Sequence, residues 1–293
     1  MSAASYWELA LPVSGDVAEG ITNFLWELGA LGVVEEQASG EEPRLRAFFP
    51  GHLDAQRLHA RMSDYIGGLR ALGFAAPGAP RVAPVAEANW AEAWREHFRP
   101  LRVGRRLLVA PPWDVPAVPG RLAIVIEPGR AFGTGHHGST AGCLEALETI
   151  IGKRPPRAAI DLGTGSGILA IAAARLGVGR ILAVDDDPDA VACATANIAL
   201  NRVAERIACM TADAGALTTD PAPLVLANLL SAAHRRLAAA YARYVAPGGR
   251  LVLGGLLDGE AAGLGPALRA QGFAPGAARS VDGWTTLELR RTG

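Results

Sequence analysis

Apolar and polar positions alternate at the start of the chain and then change to a helical repeat. The period of two between Trp7 and Val13 predicts a half-buried strand, and the apolar stripe from Val17 to Leu28 predicts an amphipathic helix. Further elements are predicted as two strands near 31–37 and 44–49, a helix over about 53–72 and a strand near 81–87. The resulting β-α-β-β-α-β order is typical of a small ferredoxin-like α+β domain.

From about residue 157 the pattern becomes an alternation of strands and helices, which predicts a parallel sheet with right-handed crossovers. The predicted strands are 157–162, 180–184, 207–210, 224–227 and 247–253, followed by a helix near 259–271 and a hairpin that ends at 284–289. A closing antiparallel strand distinguishes a seven-stranded, Rossmann-like methyltransferase sheet from the six-stranded sheet of a dehydrogenase. We therefore predict an α/β fold of this kind, preceded by the ferredoxin-like domain.

The domain boundary is predicted from composition. Residues 74–84 are rich in Ala, Pro and Gly, as linkers between domains often are. We predict a first domain over 1–86, a connector over 87–120 and a second domain over 121–293. A length of 293 residues suits two cores.

Charge and cysteine usage argue against several classes of protein. The formal net charge is −1 and Arg is spread along the chain, so we expect no direct contact with nucleic acid. The three cysteines are far apart, which is typical of reduced thiols. No apolar run approaches about 18 residues and the N-terminus lacks the cationic start of a signal peptide. We expect a cytoplasmic protein, without a membrane segment and monomeric.

A glycine-rich turn joins the strand 157–162 to the helix that follows it. Gly163, Gly165 and Gly167 permit backbone torsions and a close ligand approach that a Cβ would block. The turn predicts a bound ligand without identifying it, because nucleotide enzymes and structural turns share such glycines.

An acidic residue follows at the end of the neighbouring strand. Asp185 lies where a carboxylate can accept hydrogen bonds from both hydroxyls of a ribose. Pro188 suits the first position of the next helix, so Asp186 and Asp187 are expected to cap that helix or to be solvated.

The glycine spacing distinguishes a dinucleotide site from a site for another adenosyl cofactor. Dinucleotide sites use Gly-x-Gly-x-x-Gly, whereas here the third glycine comes one residue early and Ile168 fills the expected position. S-adenosylmethionine (AdoMet) has no pyrophosphate to bind, so the shorter turn suffices. We predict AdoMet, with Asp213 at the adenine edge and Asn228 at a further strand end. An NAD-dependent oxidoreductase and a non-catalytic AdoMet- or nucleotide-binding module remain as alternatives.

Three segments together resemble the ribosomal protein L11 methyltransferases. They are Ile-Glu-Pro-Gly-Arg-Ala-Phe-Gly-Thr-Gly-His-His-Gly-Ser-Thr over 126–140, the glycine turn, and Asn-Leu-Leu at 228–230. The resemblance covers essentially the whole chain. It implies AdoMet contacts at Thr140, Gly163, Asp185 and Asn228. It also implies an N-terminal domain that holds L11 while the catalytic domain trimethylates lysine side chains and the N-terminal amine.

The departures from the family pattern are mild. Ser139 precedes Thr140 where a second threonine is usual, and Gly138 stands where Pro or Glu is common. A sister group that methylates lysines of an electron-transfer flavoprotein subunit shares much of the catalytic signature. The full-length N-terminal domain of this chain favours L11.

Further roles are predicted around the same site. The side-chain carbonyl of Asn228 could accept a hydrogen bond from the substrate amine, although an amide cannot act as the base. Phe132 is expected to pack on the ligand and Thr140 to cap the following helix. His136 and His137 diverge as chain neighbours and lack acidic or thiol partners at ligand spacing, so no metal is expected.

Overall fold

The computed structural model describes residues 6–13, 15–30, 32–36, 43–71, 73–74, 77–85, 98–127, 137–152 and 154–292. The chain divides into two compact units, Met1–Arg99 and Pro100–Gly293. Each unit is described by itself below.

The first unit contains a four-stranded antiparallel sheet and two helices. Its elements are β1 (Tyr6–Pro12), α1 (Gly15–Glu27), β2 (Gly32–Glu36), β3 (Arg44–Pro50), α2 (Ala55–Ala71) and β4 (Arg81–Val85). The strand order is β2-β3-β1-β4. Residues one helical turn apart, Ile21 and Leu25 in α1 and Met62 and Ile66 in α2, pack with Leu9 and its neighbours in one core.

The second unit begins with a small three-stranded sheet. Its strands are β5 (Leu101–Val103), β6 (Leu107–Ala110) and β7 (Leu122–Val125), in the order β5-β6-β7. Strand β6 runs antiparallel to β5 and parallel to β7. Residues 101–110, which the sequence places in the connector, thus form strands within the second unit.

The main sheet of the second unit is mixed. Its strands are β8 (Ala158–Leu162), β9 (Arg180–Asp185), β10 (Ile207–Thr211), β11 (Ala222–Asn228), β12 (Val245–Leu257), β13 (Phe273–Val281) and β14 (Trp284–Arg291). The order is β10-β9-β8-β11-β12-β14-β13. The strands from β8 to β12 pair in parallel, whereas β14 pairs antiparallel to both β12 and β13.

Helices form two cores with this sheet. They are α3 (Gly138–Ile151), α4 (Ile168–Arg175), α5 (Pro188–Leu200), α6 (Ser231–Tyr244) and α7 (Ala261–Ala270). Side chains of α3, α4 and α5 contribute to one core, and those of α6 and α7 to the other. The predicted α/β class is confirmed, and the carboxyl ends of β8, β9 and β11 share one edge of the sheet.

Within the described residues, no helix combines the length and the apolar character that crossing a bilayer requires.

Candidate functional site

The glycine turn between β8 and α4 depends on left-handed backbone torsions. Gly163, Gly165 and Gly167 have φ angles of 69°, 53° and 82°. A Cβ at Gly163 would collide with Cδ2 of Leu229, a residue in the loop after β11. The turn therefore needs glycine for its conformation and, at Gly163, also for the close approach of the neighbouring loop.

Asp161, near the end of β8, holds the turn from inside the protein. Its side chain is 1% exposed. Oδ2 accepts hydrogen bonds from Thr164 Oγ1 at 2.7 Å and from the backbone N–H of Ala170 at 3.2 Å. Ala170 lies in the first turn of α4, so the carboxylate also faces the positive end of that helix dipole. Among the described residues, Oδ1 has no hydrogen-bond partner.

Burial gives Asp161 a pH-dependent effect on stability. Burial raises the pKa of Asp161 from 3.8 to about 6, against the smaller lowering effect of its two hydrogen bonds. The folded protein therefore binds this proton more tightly than the unfolded chain does. Stability from this group is present below pH 4 and is lost as the pH rises towards 6.

Asp161→Asn tests that sign. Two pKa units correspond to about 3 kcal/mol, most of which falls between pH 4 and pH 7. Over that range the wild type should lose about 2 kcal/mol of its free energy of unfolding relative to the variant. Urea unfolding at four pH values measures the difference. Asp213→Asn, which removes an exposed carboxylate at the same sheet edge, is the control. A difference that is constant over this pH range would contradict the assignment.

Asp185 ends β9 beside the glycine turn. Its Oδ2 accepts a hydrogen bond from the N–H of Gly165 at 2.8 Å, and its Oδ1 accepts one from the N–H of Asp187 at 3.1 Å. Burial raises the pKa of Asp185, with these two bonds acting in the opposite direction. Each carboxylate oxygen has two acceptor positions, so both oxygens retain capacity for hydroxyl donors. Asp187 is the N-cap of α5, as expected for one of the three aspartates.

Asn228 ends β11 and contacts Thr140. Its Nδ2 donates to Thr140 Oγ1 at 3.3 Å. Its Oδ1 is buried and has no hydrogen-bond partner among the described residues. The next residue, Leu229, lies against Gly163. The structure therefore brings together three predicted site residues, Thr140, Asn228 and Gly163.

The prediction that Thr140 caps α3 is wrong. The helix begins at Gly138, and its N-cap is His137, whose Nδ1 accepts from the N–H of Ser139 at 3.4 Å. Burial lowers the pKa of His137, which favours the neutral ring that this cap requires. Thr140 is fully buried in the first helical turn, and its hydroxyl meets Asn228 instead.

Two predicted ligand contacts are not connected to this cluster by a described hydrogen bond. Asp213 is exposed after β10, and its Oδ1 accepts from the N–H of Gly215 at 2.7 Å in a local turn. Phe132 lies outside the described residues, as do Gly133, Gly135 and His136. These roles stay predictions.

The arrangement suits a ligand with hydroxyl donors and an amino group. The turn with its three glycines lies beside a carboxylate at Asp185. Two buried acceptor atoms, Asp161 Oδ1 and Asn228 Oδ1, lack partners in the described part of the chain. Buried polar atoms rarely stay unpaired in native proteins, so such atoms indicate a missing partner molecule or ordered water.

The chain is similar to known proteins over its full length. The family model described as "Ribosomal protein L11 methyltransferase (PrmA)" matches residues 5–292. Proteins named ribosomal protein L11 methyltransferase from Trichlorobacter lovleyi and Geobacter sulfurreducens are each 37% identical to it. The alignment with the first covers 99% of both chains, and that with the second covers 98% of both.

A solved structure with a related name is also similar to the chain. The crystal structure of ribosomal protein L11 methylase from Lactobacillus delbrueckii subsp. bulgaricus superposes with a TM-score of 0.62 at 27% identity. The match covers 67% of this chain and 100% of that one.

Proposed function

The chain belongs to the ribosomal protein L11 methyltransferase family, and on that premise we propose that it transfers methyl groups from AdoMet to lysine side-chain and N-terminal amines of ribosomal protein L11. The observation that carries the proposal is the meeting of the glycine turn, Asp185 and Asn228 at one edge of the sheet. Bound AdoMet would supply a methyl group on a sulfonium, and transfer of that group to an amine would leave S-adenosylhomocysteine as the product.

The residues present fit this cofactor. Asp185 offers a carboxylate to the ribose hydroxyls, and its bond to the Gly165 N–H fixes it beside the turn. The turn itself, including Gly165 and Gly167, admits the ligand close to the backbone. Thr140 and Asn228 complete the proposed cofactor site on its other side. We keep Asp213 as a proposed contact to the adenine and Phe132 as a residue proposed to pack on the ligand.

Asn228 is the residue proposed to act on the substrate amine. Thr140 restrains its Nδ2, which leaves Oδ1 as an acceptor for an N–H donor. A lysine amine has a solution pKa of about 10.4 and must lose its proton before it can attack. A dry pocket beside a cation favours the neutral amine. The task of the protein is then to orient the amine and exclude water, with no covalent nucleophile.

The first unit is proposed to recognise the protein substrate. Its strand order β2-β3-β1-β4, with two crossover helices, supports a ferredoxin-like domain over 1–86. We keep the connector over 87–120 and the domain over 121–293 as proposals, with strands β5 and β6 of the connector belonging to the second compact unit. The order of the main sheet supports the seven-stranded methyltransferase fold. We also propose that the protein is a cytoplasmic monomer that needs no direct contact with nucleic acid.

Transfer of tritium from methyl-labelled AdoMet tests the function. We expect label in purified L11, with mass increases in steps of one methyl group on lysine or N-terminal peptides. An electron-transfer flavoprotein subunit is the alternative substrate and serves as the parallel reaction. Label in that subunit but not in L11 would overturn the substrate assignment, and binding of AdoMet without any transfer would favour a non-catalytic module.

A further inference from the structure

Two asparagines, Asn197 in α5 and Asn201 at the C-cap of that helix, bond the backbone at the end of β7 and just beyond it. Asn197 and Asn201 are one helical turn apart and are 1% and 0% exposed. Asn201 Oδ1 accepts from the N–H of Val125 at 2.9 Å, and its Nδ2 donates to the carbonyl of Val125 at 2.6 Å. This amide therefore makes the two backbone hydrogen bonds to Val125 that a neighbouring strand would otherwise make.

Asn197 differs because it contacts two segments at once. Its Oδ1 accepts from the N–H of Glu127 at 2.9 Å, and its Nδ2 donates to the carbonyl of Ser166 at 2.9 Å. Ser166 lies between Gly165 and Gly167 in the glycine turn. The two partners also fix the orientation of the amide, since one can only donate and the other can only accept.

The two segments joined by Asn197 are both linked to the proposed cofactor site, one as part of it and the other through the sequence that follows it. The glycine turn is one side of it. Glu127 directly precedes residues 128–136, which carry Phe132 and end next to the N-cap of α3. The helix that carries Asn197 also packs on the turn, because a Cβ at Gly167 would lie 3.2 Å from Cβ of Ala194.

We propose that Asn197 is a positioning residue for AdoMet, because one buried amide holds the glycine turn and the backbone of Glu127 in register. The inference rests on the proposed function and deepens it. Asn197 does not need to touch the ligand. It fixes the backbone of the glycine turn relative to that of Glu127.

The test compares Asn197 with Asn201, its matched control on the same helix. Asn201 is equally buried and bonds Val125, two residues before Glu127, but it has no described bond to the glycine turn. Asn197→Asp keeps the acceptor for Glu127 and places an oxygen against the carbonyl of Ser166. Asn197→Ala and Asn201→Ala form the matched pair.

Calorimetric titration of the full chain with S-adenosylhomocysteine is the main measurement. We expect Kd to rise at least about 10-fold for both Asn197 variants and less than about threefold for Asn201→Ala, although the alanine variants lose similar thermal stability. In methyl transfer, KM for AdoMet should rise more than kcat falls. Equal weakening in the Asn197 and Asn201 variants, or unchanged Kd in the Asn197 variants, would overturn the inference.

Amide hydrogen exchange of the wild type extends the test to the case in which the variants do not fold. S-adenosylhomocysteine should slow exchange of the Glu127 amide several-fold more than exchange of the Val125 amide. Equal slowing of both amides would overturn the inference. A wild type that binds no S-adenosylhomocysteine would instead overturn the proposed function and this inference with it.

Discussion

Asp185→Ala is expected to weaken binding of S-adenosylhomocysteine about 100-fold while the protein stays folded. The side chain is proposed to accept two charge-assisted hydrogen bonds from the ribose, and two such bonds together contribute about 3 kcal/mol. The variant also loses the bonds to the N–H groups of Gly165 and Asp187, which hold the turn beside the ligand. Calorimetric titration measures the change in Kd.

Two variants separate the causes of this effect. Asp186→Ala removes an exposed carboxylate from the adjacent position and should leave Kd within about twofold. Asp185→Asn keeps the shape and one acceptor oxygen, so an intermediate loss of about 10-fold is expected. If Asp185→Ala and Asp186→Ala bound the ligand equally well, Asp185 would not be the ribose acceptor.

Asn228→Ala is expected to lower the rate of L11 methylation about 100-fold, because a reacting amine misplaced by about 1 Å can lose that much. The variant removes the buried Oδ1 that lacks a described partner and the contact of Nδ2 with Thr140. Single-turnover transfer from labelled AdoMet measures the chemical step separately from product release.

Thr140→Val provides the comparison for Asn228. It removes the hydroxyl that restrains the amide but leaves the amide in place, so we expect a smaller loss of about 5- to 10-fold. If Asn228→Ala left both the transfer rate and the affinity for AdoMet unchanged, the role assigned to Asn228 would be wrong.

The alternation of strands and helices was predictable because its signals are local. The apolar strand ending at Leu162, three glycines and the apolar helix from Ile168 follow one another directly in the sequence. Their order alone implies a β-turn-α unit, and the structure has β8 and α4 there. The placement of Asp185 beside the turn also follows from this logic, since adjacent parallel strands end at the same edge.

The start of α3 was harder to predict from sequence. Both Ser139 and Thr140 are good capping residues by type, but capping depends on which residue lies just before the first helical position. The helix begins at Gly138, so the ring of His137 takes this role and packs against Trp284. Trp284 begins β14, far along the chain, and no local pattern in the sequence indicates its contact with His137.

The roles of Asn197 and Asn201 depend on tertiary contacts. An asparagine inside a helix is usually read as a solvated polar residue, and nothing nearby suggests otherwise. Their partners Glu127 and Val125 lie 70 and 76 positions earlier in the chain. Asp161 is a similar case: the motif that contains it is visible in the sequence, but its burial and its raised pKa depend on the folded core.

The asparagine pair also covers an edge strand that could otherwise pair with another copy of the chain. Strand β7 is the last of its small sheet, and unpaired N–H and C=O groups on such a strand invite pairing with another copy of the chain. The amide of Asn201 bonds both the N–H and the carbonyl of Val125 in this strand, and that of Asn197 bonds the N–H of Glu127 just beyond it. Substitutions there would therefore uncover backbone groups that can pair with another copy of the chain, and the purified variants should aggregate at lower temperature than the wild type.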